Sequence, residues 1–219
     1  MHRIWLTTAA LLLASGVAQI PSPPCEELPK SMRKISTRVI EPKMDPSSFA
    51  AQPKVAWRAG NRCARIAEAP DPGARIYGLS IINEPDVWLI NLYDKSCKHI
   101  LDTGPTTNAH IPIFPPAWGV AEFKELEFGR EALFFTKSHA ARSEGEVIKG
   151  AATERYKVTV GSASAILWTG LKSKAPVRIS LTNGEQTMTI DYLVYEDLPF
   201  DASLFQPPPG IRIQNSPQM

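Results

Sequence analysis

The chain of 219 residues has almost no charge of one sign to spare, because 24 Lys and Arg stand against 22 Asp and Glu and leave a formal charge of only +2. A protein that grips nucleic acid by neutralising phosphates needs a basic excess, so that class is excluded. Cysteine is scarce, with three in all, and no CxxC pair or Cys/His cluster offers the spacing of a zinc site. There is no phosphate loop and no dinucleotide fingerprint. Gly78-Leu79-Ser80-Ile81-Ile82 lacks the second glycine of a nucleophile elbow. No apolar run reaches the roughly 18 to 20 residues that a membrane-spanning helix requires. What is abundant is proline, 20 residues and roughly twice the usual share. With 13 glycines it points to many short elements in one globular domain.

The amino terminus has its own pattern. Met1-His2-Arg3 is a short basic start, Ile4 to Val17 is apolar, and Gly16-Val17-Ala18 puts small residues where a signal peptidase reads. Residues 1–18 are therefore expected to be a signal peptide cleaved near Ala18, with a periplasmic or secreted destination and no transmembrane segment in the mature chain. Cys25 follows Ser22-Pro23-Pro24, the wrong context for lipid attachment. Three cysteines allow three different single bridges or none. Cys63 with Cys97 is the preferred pair, because both fall in the strand-rich part.

Residues 19–53 read as a lead containing one short helix over Glu26 to Ile40, where Leu28, Met32, Ile35 and Val39 recur at helical spacing before Pro42. From Lys54 the period becomes two. Strands are expected at Lys54 to Arg58, Cys63 to Ala67, Arg75 to Ile82, Val87 to Tyr93 and Lys98 to Leu101, separated by turns such as Pro70-Asp71-Pro72-Gly73. Thr103 to Pro116 is a long loop with four prolines, ending near Trp118. Ala121 to Ser138 has a helical pattern interrupted by Gly129. Strands return at Glu144 to Lys149, Thr153 to Val160, Ala163 to Thr169 and Val177 to Thr182. Asn183-Gly184 then turns the chain into a strand whose Met188, Ile190, Tyr192 and Val194 share a face. The fold class is α+β and mainly β: a curved antiparallel sheet forming an incomplete half-barrel capped by one or two helices, with an inserted loop and helix at 103–138 and a tail at 211–219.

Polar chemistry is thin. Asn83-Glu84-Pro85 matches a tripeptide that carries the acid of barrel glycosidases, but those need about 250 residues of alternating strands and helices, so it reads as a turn. His99, His110 and His139 are read as surface histidines, and His99 with Asp102 lacks a third metal ligand. What remains is apolar surface. Trp57, Trp88, Ile90, Leu92, Trp168, Met188, Ile190 and Tyr192 are expected to line a hollow that could hold an apolar ligand, ordinary core being the rival reading.

The stretches Val55-Ala56-Trp57-Arg58-Ala59-Gly60-Asn61-Arg62, Ile81 to Asp94, and Pro176-Val177-Arg178-Ile179 through Asp197-Leu198-Pro199-Phe200-Asp201 to Gly210 resemble the LolA/LolB-like periplasmic lipoprotein carriers. The resemblance covers about residues 54 to 210. It departs at Ala59, where a proline is usual, and at the insertion over 103–138. It implies a half-barrel that shields lipid or lipoprotein acyl chains, with no catalytic residues and no cofactor. The expected function is thus an exported, non-enzymatic carrier whose partner is a lipid or acylated protein. The alternatives are an envelope-protein interaction or stress-sensor module with a filled core, and a secreted hydrolase using His99 or Glu84.

Overall fold

The computed structural model describes residues 29–104, 108–115 and 120–215; the expected signal peptide, Cys25 and Trp118 lie outside them. Twelve strands form one open, curved sheet. They are β1 (Ser31–Glu41), β2 (Lys54–Ala59), β3 (Cys63–Ala67), β4 (Gly78–Asn83), β5 (Asp86–Asn91), β6 (Ser96–Leu101), β7 (Ala141–Glu144), β8 (Thr153–Val160), β9 (Ala163–Gly170), β10 (Pro176–Asn183), β11 (Gln186–Pro199) and β12 (Arg212–Asn215). The helix α1 (Glu131–Lys137) lies between β6 and β7 in the chain. The order across the sheet is β12-β6-β5-β4-β3-β2-β1-β11-β10-β9-β8-β7. All neighbours are antiparallel, most of them joined by short turns, except β12, which returns from far along the chain to run parallel to β6.

The helix expected over 26–40 is instead the strand β1, and it sits in mid-sheet between β2 and β11. Met32 points to one face, where it packs with Ala59, Cys63 and Phe205, while Ile35 points to the other, among Ala56 and Phe135. A strand buried on both sides scatters apolar residues at spacings of three and four, which imitates a helix. The sheet therefore begins at Ser31, not Lys54, and extends through the expected tail to Asn215. The helical stretch of 121–138 is broken: a single 3-10 turn spans Ala121–Phe123, Gly129 adopts φ +80°, and only Glu131–Lys137 is α-helical. The strand expected at 144–149 is displaced to β7.

Cross-strand partners share a face, so the register assigns every side chain to one. Through the pairs Ile190–Val39, Ile35–Ala56, Ala56–Ile66, Ile66–Ser80 and Ser80–Leu89, one continuous face can be followed from β11 to β5. We call it the inner face, because Phe134 and Phe135 of α1 and Ile113, Phe114, Phe123 and Leu126 of the preceding segment pack on it. On β8–β11, β1 and β2 this face carries the main core. On the far wing, β4–β6, the core is on the outer face: Leu79, Ile81, Trp88, Ile90 and Cys97 pack together beneath Ile211. Each fully buried aliphatic or aromatic side chain contributes about 1.5–3 kcal/mol, so both covers matter to stability.

Candidate functional site

The inner face is not completely filled. Between the sheet and two irregular segments lies a cleft of about 430 Å3. Its floor is Val39, Ala56, Ile66, Met188 and Ile190, one residue or two from each of β1, β2, β3 and β11. Pro42, Met44 and Phe49 form one wall, and Pro112, Ile113, Phe114 and Pro115 the other. Lys54 and Glu68, ion-paired at 2.9 Å, are the charged groups on its lining. An apolar concavity with few polar groups has the character of a site for a small apolar ligand, and its volume falls within the usual 300 to 1,000 Å3 or so.

Of the eight residues expected to line one hollow, Met188 and Ile190 border the cleft. Tyr192 shares their face but is buried in the core against Glu131. The others lie on the outer face. Trp57 packs beside Met32 and Phe205 with the Arg65 guanidinium over its ring, and Trp88, Ile90 and Leu92 belong to the outer core of the far wing. Trp168 pairs across strands with Arg155 and Arg178 and through the latter faces the side of Asp191. The reason is the register: Trp88 continues through Ile81 and Arg65 to Trp57, one residue out of step with the line that contains Ile190. Alternation in each strand identified residues that share a side, but it could not align the sides of distant strands.

Cys63 and Cys97 are both free and buried thiols. They sit on β3 and β6, three inter-strand steps apart at about 4.8 Å each, well beyond the roughly 7 Å between Cα atoms that a disulfide tolerates. Burial pushes both thiols up from their ordinary value.

The segment that walls the cleft is held by buried charge. Ala109 donates to the Asn61 carbonyl, Phe128 to that of Ile111, and Ile113 to that of Leu126, so 109–113 and 126–128 form a short ladder over the sheet. Beneath it Arg58, on an inward position of β2, donates to Glu127 Oε2 at 2.6 Å, to the Ala109 carbonyl at 2.8 Å and to the Phe128 carbonyl at 3.1 Å. Burial draws the guanidinium below its usual pKa, with Glu127 opposing that shift. His110 Nδ1 lies 2.7 Å from the other Glu127 oxygen. A second buried acid, Glu131, opens α1 and accepts from Tyr192 Oη at 2.9 Å, Tyr195 Oη at 3.1 Å and the Gly129 amide at 3.0 Å. The tyrosines share a face although they are three apart, because the register slips at Leu193: Ser36 opposes Val194, and Thr37 opposes Tyr192. The same bulge turns Val194 away from the face it was expected to share. Burial raises the Glu131 carboxyl and both phenols.

The other candidates for chemistry lie apart from the cleft. His99 Nε2 meets Asp86 Oδ1 at 2.7 Å, and its ring stacks on Trp88 at 5.5 Å on the outer face. Glu84 occupies the β4–β5 turn and is buried, with its carboxyl raised by burial first and then by Asp102. Among the described residues no group of three or more His, Cys, Asp or Glu could hold a metal ion. The apolar walls at 42–49 and 112–115 were missed because loops have no periodicity. The run Ile111-Pro112-Ile113-Phe114 was the available signal, since so apolar a loop must be covered.

No family model matches the chain, and no curated protein matches it. Solved structures similar to it include three that each share 10% identity. An uncharacterized conserved protein from Thermus thermophilus aligns over 85% of this chain and 91% of its own, with TM-score 0.48. PNGF-II aligns over 85% of this chain but 31% of its own, with TM-score 0.32. A "putative outer membrane lipoprotein-sorting protein domain" from Vibrio parahaemolyticus aligns over 76% and 84%, with TM-score 0.29.

Proposed function

We propose that the protein is an exported, non-enzymatic binder of an apolar ligand, a lipid or the acyl chain of a lipidated protein, and that the inner face acts as a half-barrel with α1 and the segments 112–115 and 120–128 as its cap. The observation that carries this reading is the 430 Å3 cleft, whose floor and walls are aliphatic and aromatic while its ion pair lies on one side. Removing hydrocarbon from water yields about 25 cal/mol for each Å2 buried, and Thr37 is the one buried polar side chain on the lining. The basic start and apolar run before Ala18 support export. Among the described residues no helix is long and apolar enough to cross a membrane.

The test is expression with the native leader, purification from the periplasm and mass spectrometry of the organic extract, followed by titration with a fluorescent fatty acid. Stoichiometric lipid and saturable probe binding are expected, and Met188→Trp, which fills the floor, should abolish both while leaving the circular dichroism unchanged. Protein that is empty after extraction and indifferent to the probe would overturn the proposal.

A further inference from the structure

A second cavity, of about 360 Å3, lies at the other end of the inner face and has no lining residue in common with the apolar cleft. It is bounded by the end of α1, by β7, β8 and β9, and by the turn that leads to β10. Phe135 and Leu167 supply an apolar floor. Arg142, Lys174 and Tyr156 stand around it, and none of the residues that line it is acidic.

Two features mark it as more than a gap in packing. Thr169 is only 4% exposed, and its Oγ1 has no hydrogen-bond partner among the described residues. A buried hydroxyl without a partner costs about 1–3 kcal/mol, a cost that an acceptor seated beside it in the cavity would remove. The cations beside it are also held in place. Glu154, opposite Thr169 in the β8–β9 ladder, accepts from Arg142, from Tyr156 Oη at 2.9 Å and from Lys174 Nζ at 3.1 Å. These hydrogen bonds, that of Arg142 first, hold its carboxyl down to about 2, so it is ionised at any physiological pH. One carboxylate against two cations leaves a single positive charge on a rim whose side chains are already oriented. Arg142 commits one nitrogen to Glu154, and the rest of its planar fork remains to meet an anion.

We propose that this cavity binds a small organic carboxylate, its compact apolar body resting on Phe135 and Leu167 and its oxygens taking the Thr169 hydroxyl together with Arg142 or Lys174. A monoanion matches the one unbalanced charge, and the floor gives a hydrocarbon or aryl body something to cover. The inference does not depend on the apolar cleft being occupied.

Calorimetric titration of the full chain with benzoate, hexanoate, benzamide and inorganic phosphate tests it. The two carboxylates should bind saturably, benzamide about tenfold or more weaker, and phosphate more weakly than benzoate for want of a body. Thr169→Val should weaken benzoate about tenfold while raising or preserving the melting temperature, because it removes an unpaired hydroxyl. The double change Arg142→Gln with Lys174→Gln should weaken it further and flatten its dependence on salt, whereas Met188→Trp in the other cleft should leave it unchanged. Absence of saturable binding by either carboxylate, equal binding of benzamide, tighter binding of phosphate, or indifference to Thr169→Val would each overturn the proposal.

Discussion

The two wings of this sheet bury opposite sides. On β8–β11 and β1 the inner face is covered by α1 and the segments 108–115 and 120–128, which bring aromatic rings and two buried carboxyl groups with them. On β4–β6 the outer face is covered instead, by a sparse apolar cluster under Ile211. The first cover is thick, polar at its anchors and hollow in places; the second is thin and mainly apolar, with the His99–Asp86 pair beside it. Cavities arise on the thick side because a cover built from loops and a two-turn helix cannot match the sheet's curvature everywhere. A short tail lying flat on a strand ladder leaves little space to fill. The comparison teaches that one sheet can leave room on one side and use the other for cohesion.

Substitutions can break that contrast. The largest effect is expected from Arg58→Met, which leaves buried Glu127 only the more distant Arg130, at 3.8 Å, as a cation and frees the Ala109 and Phe128 carbonyls; about 3–5 kcal/mol should be lost in urea unfolding, together with the cleft wall. On the other wing, Ile81→Ala removes a fully buried side chain from the outer core and should cost about 2–4 kcal/mol with no effect on ligand binding in either inner cavity. Ile211→Ser, which thins the outer cover without opening the ladder, should cost about 1 kcal/mol. It should speed amide exchange in β5 and β6 more than in β9 and β10, as mass spectrometry would show. The smallest effect is a dependence on pH. Because burial raises the Glu131 carboxyl, its contribution to stability is complete below its unfolded value, about 4.3, and is lost as pH rises through its folded value. Glu131→Gln, which keeps an acceptor for Gly129 and Tyr192, should therefore gain stability relative to the native chain as pH is raised from 4 to about 7, followed by thermal melts.

The meander was legible because each of its strands is half covered and alternates, and because turns such as Gly184, at φ +60°, punctuate it. β1 was not, because its placement between two partners puts Met32 and Ile35 on opposite faces of a doubly buried strand. The candidate site was legible only where it rests on strands, at Met188 and Ile190. Its walls at Phe49 and Phe114 come from segments with no repeating pattern, and Trp88 was assigned to it wrongly because face identity passes between strands only through register. The anchoring role of Arg58 was hidden for a related reason. A charged residue at an inward strand position looks like a break in alternation until its partner, 69 residues away, is in place.

The central seam of the sheet joins β1 to β11, and the strip that shelters the outer side of β4–β6 is encoded later still. A ribosome delivering this chain in order would expose a finished meander with a bare greasy side and a first strand open along one edge, and neither could be satisfied until nearly every residue had emerged. Such a polypeptide would remain incompletely folded through almost the whole of its synthesis.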